Sequence, residues 1–242
     1  MPAAKSAPAP AAFSGFPSGA VQFFRDVTKH NTKEWYDEHA DDYKRDVIGP
    51  AQSFVTEIGP QLKKLSGGVS YDLDANGKGS IKKIQTDRRF NPDREPYKTY
   101  MELLFWEGPL KVKKENSGFY FRFDPQGVVF SAGLKYFDKP VQAGYRAAVL
   151  DPARGAALDK VLKTAQKAGY NVGGGGAFKQ LPRGTDPDYK YAPYLLHEGL
   201  YAWQRVPLFP ELHSAKLLDI ALGHYKALAP VHKWCVELLE GL

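Results

Sequence analysis

The sequence predicts a single α+β domain, with a central antiparallel sheet flanked by N-terminal and C-terminal helices. Three observations lead there. Amphipathic stretches with a period of about 3.6 gather at the two ends of the chain, while short segments rich in Ile, Val, Phe and Tyr fall between them. Two of those segments flank Asp124-Pro125-Gln126-Gly127, a turn so short that the strands it joins must be antiparallel. No composition shift and no internal repeat divides the 242 residues, which are 43% hydrophobic and 25% charged, an ordinary globular balance. Helices segregated from antiparallel strands define the α+β class.

In chain order, residues 1–12 (MPAAKSAPAPAA) read as a disordered Ala/Pro-rich tail, and 13–242 as the domain. Prolines at 2, 8 and 10 interrupt any secretory apolar core, which needs about 7–15 residues, so a cytoplasmic setting is expected. Pro17-Ser18 opens a helix through Val21, Phe23, Phe24 and Val27. Asn31 and Glu34 have the spacing of a capping box for a second helix. Its stripe runs Trp35, Tyr43, Val47, Phe54, Ile58, Leu62 and Leu65, with a kink or split expected at Gly49-Pro50. Ser80–Thr86, Gly118–Asp124 and Val128–Lys135 read as strands, and Leu200–Val206 as a further one. Pro140–Leu150 and Pro152–Ala168 read as helices, the latter capped by Asp151 and ended by Gly169. Ala215–Leu239 is a long amphipathic helix with a break expected at Pro230.

Several chemistries are weakened by the residues present. One cysteine, Cys235, excludes an internal disulfide framework, and its place on an apolar helix face points to a buried, inert thiol. No apolar run approaches the roughly 18 residues of a membrane span, so no membrane partner is expected. The glycines at 173–176 lack the Gly-Lys-Ser/Thr that completes a phosphate loop and read as a connector. Asp72-x-Asp74-x-Asn76-Gly77 matches the start of a calcium loop, but Lys83 stands where the closing carboxylate belongs. His213, His224 and His232 are too far apart along a helix to share one metal. No metal ligand set is predicted, no motif identifies a cofactor, and nothing fixes the oligomeric state.

The charge balance, 33 Lys+Arg against 27 Asp+Glu, gives a formal +6. Its densest part is residues 81–98, IKKIQTDRRFNPDREPYK, with six basic and three acidic side chains among prolines and aromatics. In a strand register Asp87 and Arg89 share a face, so Asp87 would orient Arg89 for bidentate work on a carboxylate or phosphate. Residues 179–188, KQLPRGTDPD, form a second rigid turn carrying Arg183, Asp186 and Asp188. Were both loops to pack over one end of the sheet, they would line one cleft. Arg89, Lys98, Arg183 and Tyr97 are therefore the candidate ligand-binding residues. Asp87 and Asp186 are the candidate catalytic carboxylates, Asp186 as a general base if chemistry occurs. Whether the protein is an enzyme stays open. An anionic small molecule, phosphate- or carboxylate-bearing, is the leading partner. Nucleic-acid binding through 81–98 and 111–114 is the alternative, and a non-catalytic interaction scaffold, in which these loops are structural ion pairs, is the third.

From Phe13 to Leu239 the chain resembles a mainly bacterial family, domain of unknown function 2461. The resemblance rests on Asn31-Thr32-Lys33-Glu34-Trp35-Tyr36, on Asp87-Arg88-Arg89-Phe90 with Asp93-Arg94-Glu95-Pro96-Tyr97-Lys98, on Gly118-Phe119-Tyr120 and Ala132-Gly133, and on Leu181-Pro182-Arg183-Gly184-x-Asp186. Thr86, Arg94 and Tyr189 depart from the residues usual there. The resemblance implies one α+β domain in a cytoplasmic setting and names no reaction.

Overall fold

A computed structural model describes residues 11–174 and 176–242. The expected tail falls mostly on residues 1–10, outside the described residues; Ala11 and Ala12 are exposed coil. Helix α1 (Ser18–Lys29) buries Ala20, Val21, Phe23, Phe24 and Val27, the face its spacing predicts. Helix α2 (Lys33–Glu38) begins differently from expectation. Thr32, not Asn31, is its cap, the hydroxyl accepting from the Trp35 N–H at 3.2 Å; Asn31 has another partner, described below. After α3 (Ala40–Tyr43) the chain winds as a π-helical turn, Lys44–Ile48, into α4 (Gly49–Leu65). The disturbance expected at Gly49-Pro50 is this turn. Pro50 has no N–H to donate backwards, and the Gly49 N–H reaches the Lys44 carbonyl five residues back.

Five strands form one antiparallel sheet in the order β1-β2-β3-β5-β4: β1 (Met101–Glu107), β2 (Ser117–Asp124), β3 (Gly127–Leu134), β4 (Asn171–Gly173) and β5 (Leu200–Val206). Strand β1 replaces the expected strand at Ser80–Thr86. That segment only brushes its edge, through the isolated bridge Ile81–Leu103; a second bridge, Gln85–Tyr97, lies within its own fold-back. Gly173, read as connector, ends β4. A Cβ on Gly174 would run into the Gly199 backbone, so at that position glycine permits a close approach. Helices α5 (Lys139–Leu150) and α6 (Pro152–Lys167) are capped by Asp138 and Asp151, and Gly169 at φ +87° ends the second as expected. Helix α7 (Leu217–Glu240) runs unbroken through Pro230. Pro230 is exposed while Val231, His232, Trp234 and Cys235 around it are buried; burial of that face outweighs the one backbone hydrogen bond the proline forfeits.

The helices cover one face of the sheet. Phe16 lies 4.8 Å from Phe123, Phe54 5.2 Å from Phe121 and Phe119 5.2 Å from Tyr225, ring centre to ring centre. This aromatic layer is the core, and truncating one such Phe costs about 3–5 kcal/mol. Alternation then places Glu102, Leu104, Trp106, Tyr120, Arg122, Tyr201 and Trp203 on the opposite face, where they are half-buried. No helix among the described residues is long and apolar enough to cross a membrane.

Candidate functional site

The segment 80–104 folds back on itself beside β1. Leu104 donates to the Ser80 carbonyl (2.9 Å), Lys82 to Glu102 (3.1 Å), Lys98 to Ile84 (2.9 Å) and Thr86 to Pro96 (2.9 Å), all through backbone N–H groups. The charged loop 87–95 is thereby held at the tip of an irregular hairpin. Asn31 fixes its far arm: its amide donates to the Tyr97 carbonyl at 2.8 Å and its carbonyl accepts from the Tyr97 N–H at 2.9 Å. Tyr36 stacks on Tyr97 at 4.4 Å. The two aromatic and amide side chains of the 31–36 segment thus dock the 81–98 segment.

Beneath this hairpin lies a hollow of about 760 Å³. Lys82, Lys83, Arg94, Lys98 and Lys114 line it, with Asp87, Glu95, Tyr97 and Tyr100. Of these, Lys98 places its Nζ 2.6 Å from Glu102 Oε1, and the Tyr120 hydroxyl donates to Glu102 Oε2 at 2.9 Å. Burial, reinforced by the neighbouring carboxylate, pushes the Tyr120 hydroxyl far above its ordinary range, so it stays a donor. Lys82 is half-buried and donates to the Gly79 carbonyl at 3.0 Å. Among the described residues Lys82, Lys83, Arg94 and Lys114 have no carboxylate within ion-pairing distance, whereas Lys98 does. The hollow therefore carries uncompensated positive charge.

Asp87 and Arg89 form a fork, Nε to Oδ1 at 2.9 Å and an amino nitrogen to Oδ2 at 2.6 Å. These hydrogen bonds hold the Asp87 carboxyl well below the usual range. Arg89 itself is 79% exposed and does not line the hollow. Arg183 and Asp186 lie elsewhere. Their turn follows the Ala177–His197 bridge, its Asp186 carboxylate accepts from the Asp188 N–H at 2.9 Å, and Tyr189 beyond it donates to the Val149 carbonyl at the end of α5. That is the β4 side of the sheet, and β1 and β4 are opposite edges. Asp87, Tyr97 and Lys98 are brought together; Arg183 and Asp186 are not brought to them.

Glu102 was not foreseen because β1 was not; Tyr120 stood only in a predicted strand, with no partner assigned to it, and Tyr100 lies just before β1. The outward alternation Glu102, Leu104, Trp106 was the available signal, and it mixes charge with apolar side chains. The calcium-like segment turns its carboxylates onto its own backbone and onto Lys113: Asp72 accepts from the Asp74 and Ser80 N–H groups and from Lys113, Asp74 from Asn76, and Asn76 from Lys78.

A second polar cluster is buried under the sheet. His232 Nε2 meets Glu107 Oε2 at 2.7 Å, and its Nδ1 meets Ser117 Oγ at 2.9 Å. The order hydroxyl, imidazole, carboxylate is that of a hydrolytic triad, but Ser117 and His232 are fully buried and no substrate carbonyl can reach the hydroxyl. Cys235, one turn on, is also fully buried, and burial pushes its thiol up to about 12.

Compared with known families, residues 19–234 match the family model described as "Conserved hypothetical protein (DUF2461)". The match spans most of the chain, and the chain belongs to that family. No curated protein and no solved structure matches the chain.

Proposed function

We propose that the hollow beside β1 binds an anionic small molecule bearing a phosphate or carboxylate. The observation that carries this reading is the set of four cations, Lys82, Lys83, Arg94 and Lys114, that line one concave space without carboxylate partners among the described residues. Cations left unpaired in a concavity focus a positive potential, and a phosphate or carboxylate supplies the missing charge-assisted hydrogen bonds. Arg94 offers a bidentate fork, the lysines point charges, and Tyr97 and Tyr100 an aromatic wall. Asp87 keeps Arg89 turned away from the hollow, so both act on the shape of the loop.

The test is thermal unfolding of wild type and a Lys83→Gln/Arg94→Gln variant against inorganic phosphate, pyrophosphate, sugar phosphates, dicarboxylates and short oligonucleotides at two salt concentrations. Both substituted side chains are exposed, so the variant folds. A small anion at 100 times its dissociation constant stabilises wild type by about 2.7 kcal/mol and the variant far less. Equal shifts in both proteins would refute the site. Stabilisation by oligonucleotides alone, falling steeply with salt, would assign the same cations to nucleic acid instead.

A further inference from the structure

We propose that Lys82 is a reactive amine that forms an imine with a carbonyl-bearing anion, an aldehyde or ketone carrying a phosphate or carboxylate. The proposal rests on the anion-binding reading of the hollow and adds to it the chemical class of the ligand. Three features single out Lys82. It lines the hollow, its amine has only the Gly79 carbonyl as a partner among the described residues, at 3.0 Å, and the Glu102 carboxylate is already engaged. Both oxygens of that carboxylate are taken, by Lys98 at 2.6 Å and by the Tyr120 hydroxyl at 2.9 Å.

An amine so placed is poorly compensated when protonated. Burial depresses its basicity most. Lys113 and Lys98 add to the depression, while Glu102 and Asp72 oppose it and do not overcome it. Lys113 is itself anchored, to Asp72 at 2.7 Å and over the Trp106 ring at 4.3 Å, so its charge stays near. A lysine amine of lowered basicity among other cations is the arrangement that makes lysine a nucleophile towards carbonyls. The remaining free cations hold the ligand's anionic end, leaving its carbonyl carbon to the amine.

The step balances without any oxidant. The Lys82 Nζ lone pair adds to the carbonyl carbon, and the amine proton passes to the carbonyl oxygen to give a carbinolamine. The C–O bond then breaks, the hydroxyl leaves as water with a proton from the Lys98 ammonium, and a C=N bond forms. Loss of the remaining N–H proton returns Lys98 to its charged state.

The probe is pyridoxal 5′-phosphate, which joins an aldehyde to a phosphate, trapped by borohydride reduction of the imine and located by peptide mass spectrometry. The result expected is an adduct on Lys82 at least tenfold above any other lysine. Pyridoxal without the phosphate should lower it at least tenfold, and excess pyrophosphate should suppress it. Lys82→Arg, which keeps the charge, and Lys82→Gln should both lose it while melting as wild type does. Adducts spread evenly over surface lysines would overturn the proposal. Pyridoxine 5′-phosphate, which has no aldehyde, separates the two readings. If it binds in the hollow while no Lys82 adduct forms, imine chemistry is refuted and anion binding stands. If it does not bind and no adduct forms, both fall.

Discussion

Glu107 is a core-facing carboxylate, 9% exposed, at the end of β1. Burial alone would push its carboxyl up, but hydrogen bonds from His232, Ser66 and the Gly68 N–H outweigh that and hold it below the ordinary value. A carboxyl whose folded pKa is depressed contributes its stability in full above the unfolded value, about 4.3 for Glu. The contribution is lost as the pH falls through that range towards the folded value. Glu107→Gln keeps the shape and removes the charge. We expect it to cost about 1–3 kcal/mol at neutral pH and to flatten the loss of stability between about pH 5 and pH 3, measured by urea unfolding across that range. Equal acid sensitivity in both proteins would contradict the assignment. Nothing in the sequence announced this residue. Its partners are Ser66, Gly68 and His232, contributed by two separate segments, and single residues of common types leave no pattern until the fold assembles them.

Between elements, the link that matters most is Asn31. Its residue type and spacing suggested a helix cap, and the neighbouring Thr32 does that work instead. Asn31 makes a two-point bond to the Tyr97 backbone, 66 residues on, contact that no local rule reports. Removing it in Asn31→Ala leaves two half-buried backbone groups unpaired. We expect a loss of about 1–3 kcal/mol in denaturant unfolding, together with weaker anion binding, because the hairpin arm that carries Lys98 is no longer pinned. An unchanged stability would show that the clamp is idle.

The same scale explains which elements were legible. Helices α1, α5 and α6 declared themselves through prolines at their starts and apolar residues at helical spacing, α6 also through its Asp151 cap. The β2–β3 hairpin did so through its turn. Strand β1 did not, because its outward face mixes Glu102 with Leu104 and Trp106 and so blurs the alternation. Pro230 misled in the other direction. The proline rule is local, whereas α7 is held by the face it buries against β2 and β3.

For the whole molecule, the sheet is the organising object: helices on one face, and at the β1 edge a basic hairpin over a hollow. The sequence could locate the two charged turns, 81–98 and 179–188, since both are dense in charge and stiffened by proline. It could not say that sheet order sends them to opposite edges. Strand order depends on the crossover through α5, α6 and β4, which places β5 beside β3 and β4 outermost. Asp87, Tyr97 and Lys98 therefore belong with Lys82, Arg94 and Lys114, and Arg183 with the α5 side.

The claim that the β1-edge hollow is the anion site is tested most directly by calorimetric titration of pyrophosphate into three proteins: wild type, Arg94→Gln and Arg183→Gln. Saturable one-site binding is expected for wild type and Arg183→Gln with the same affinity, and at least about tenfold weaker binding, roughly 1.4 kcal/mol, for Arg94→Gln. Equal affinity in all three, or loss of binding in Arg183→Gln alone, would contradict it.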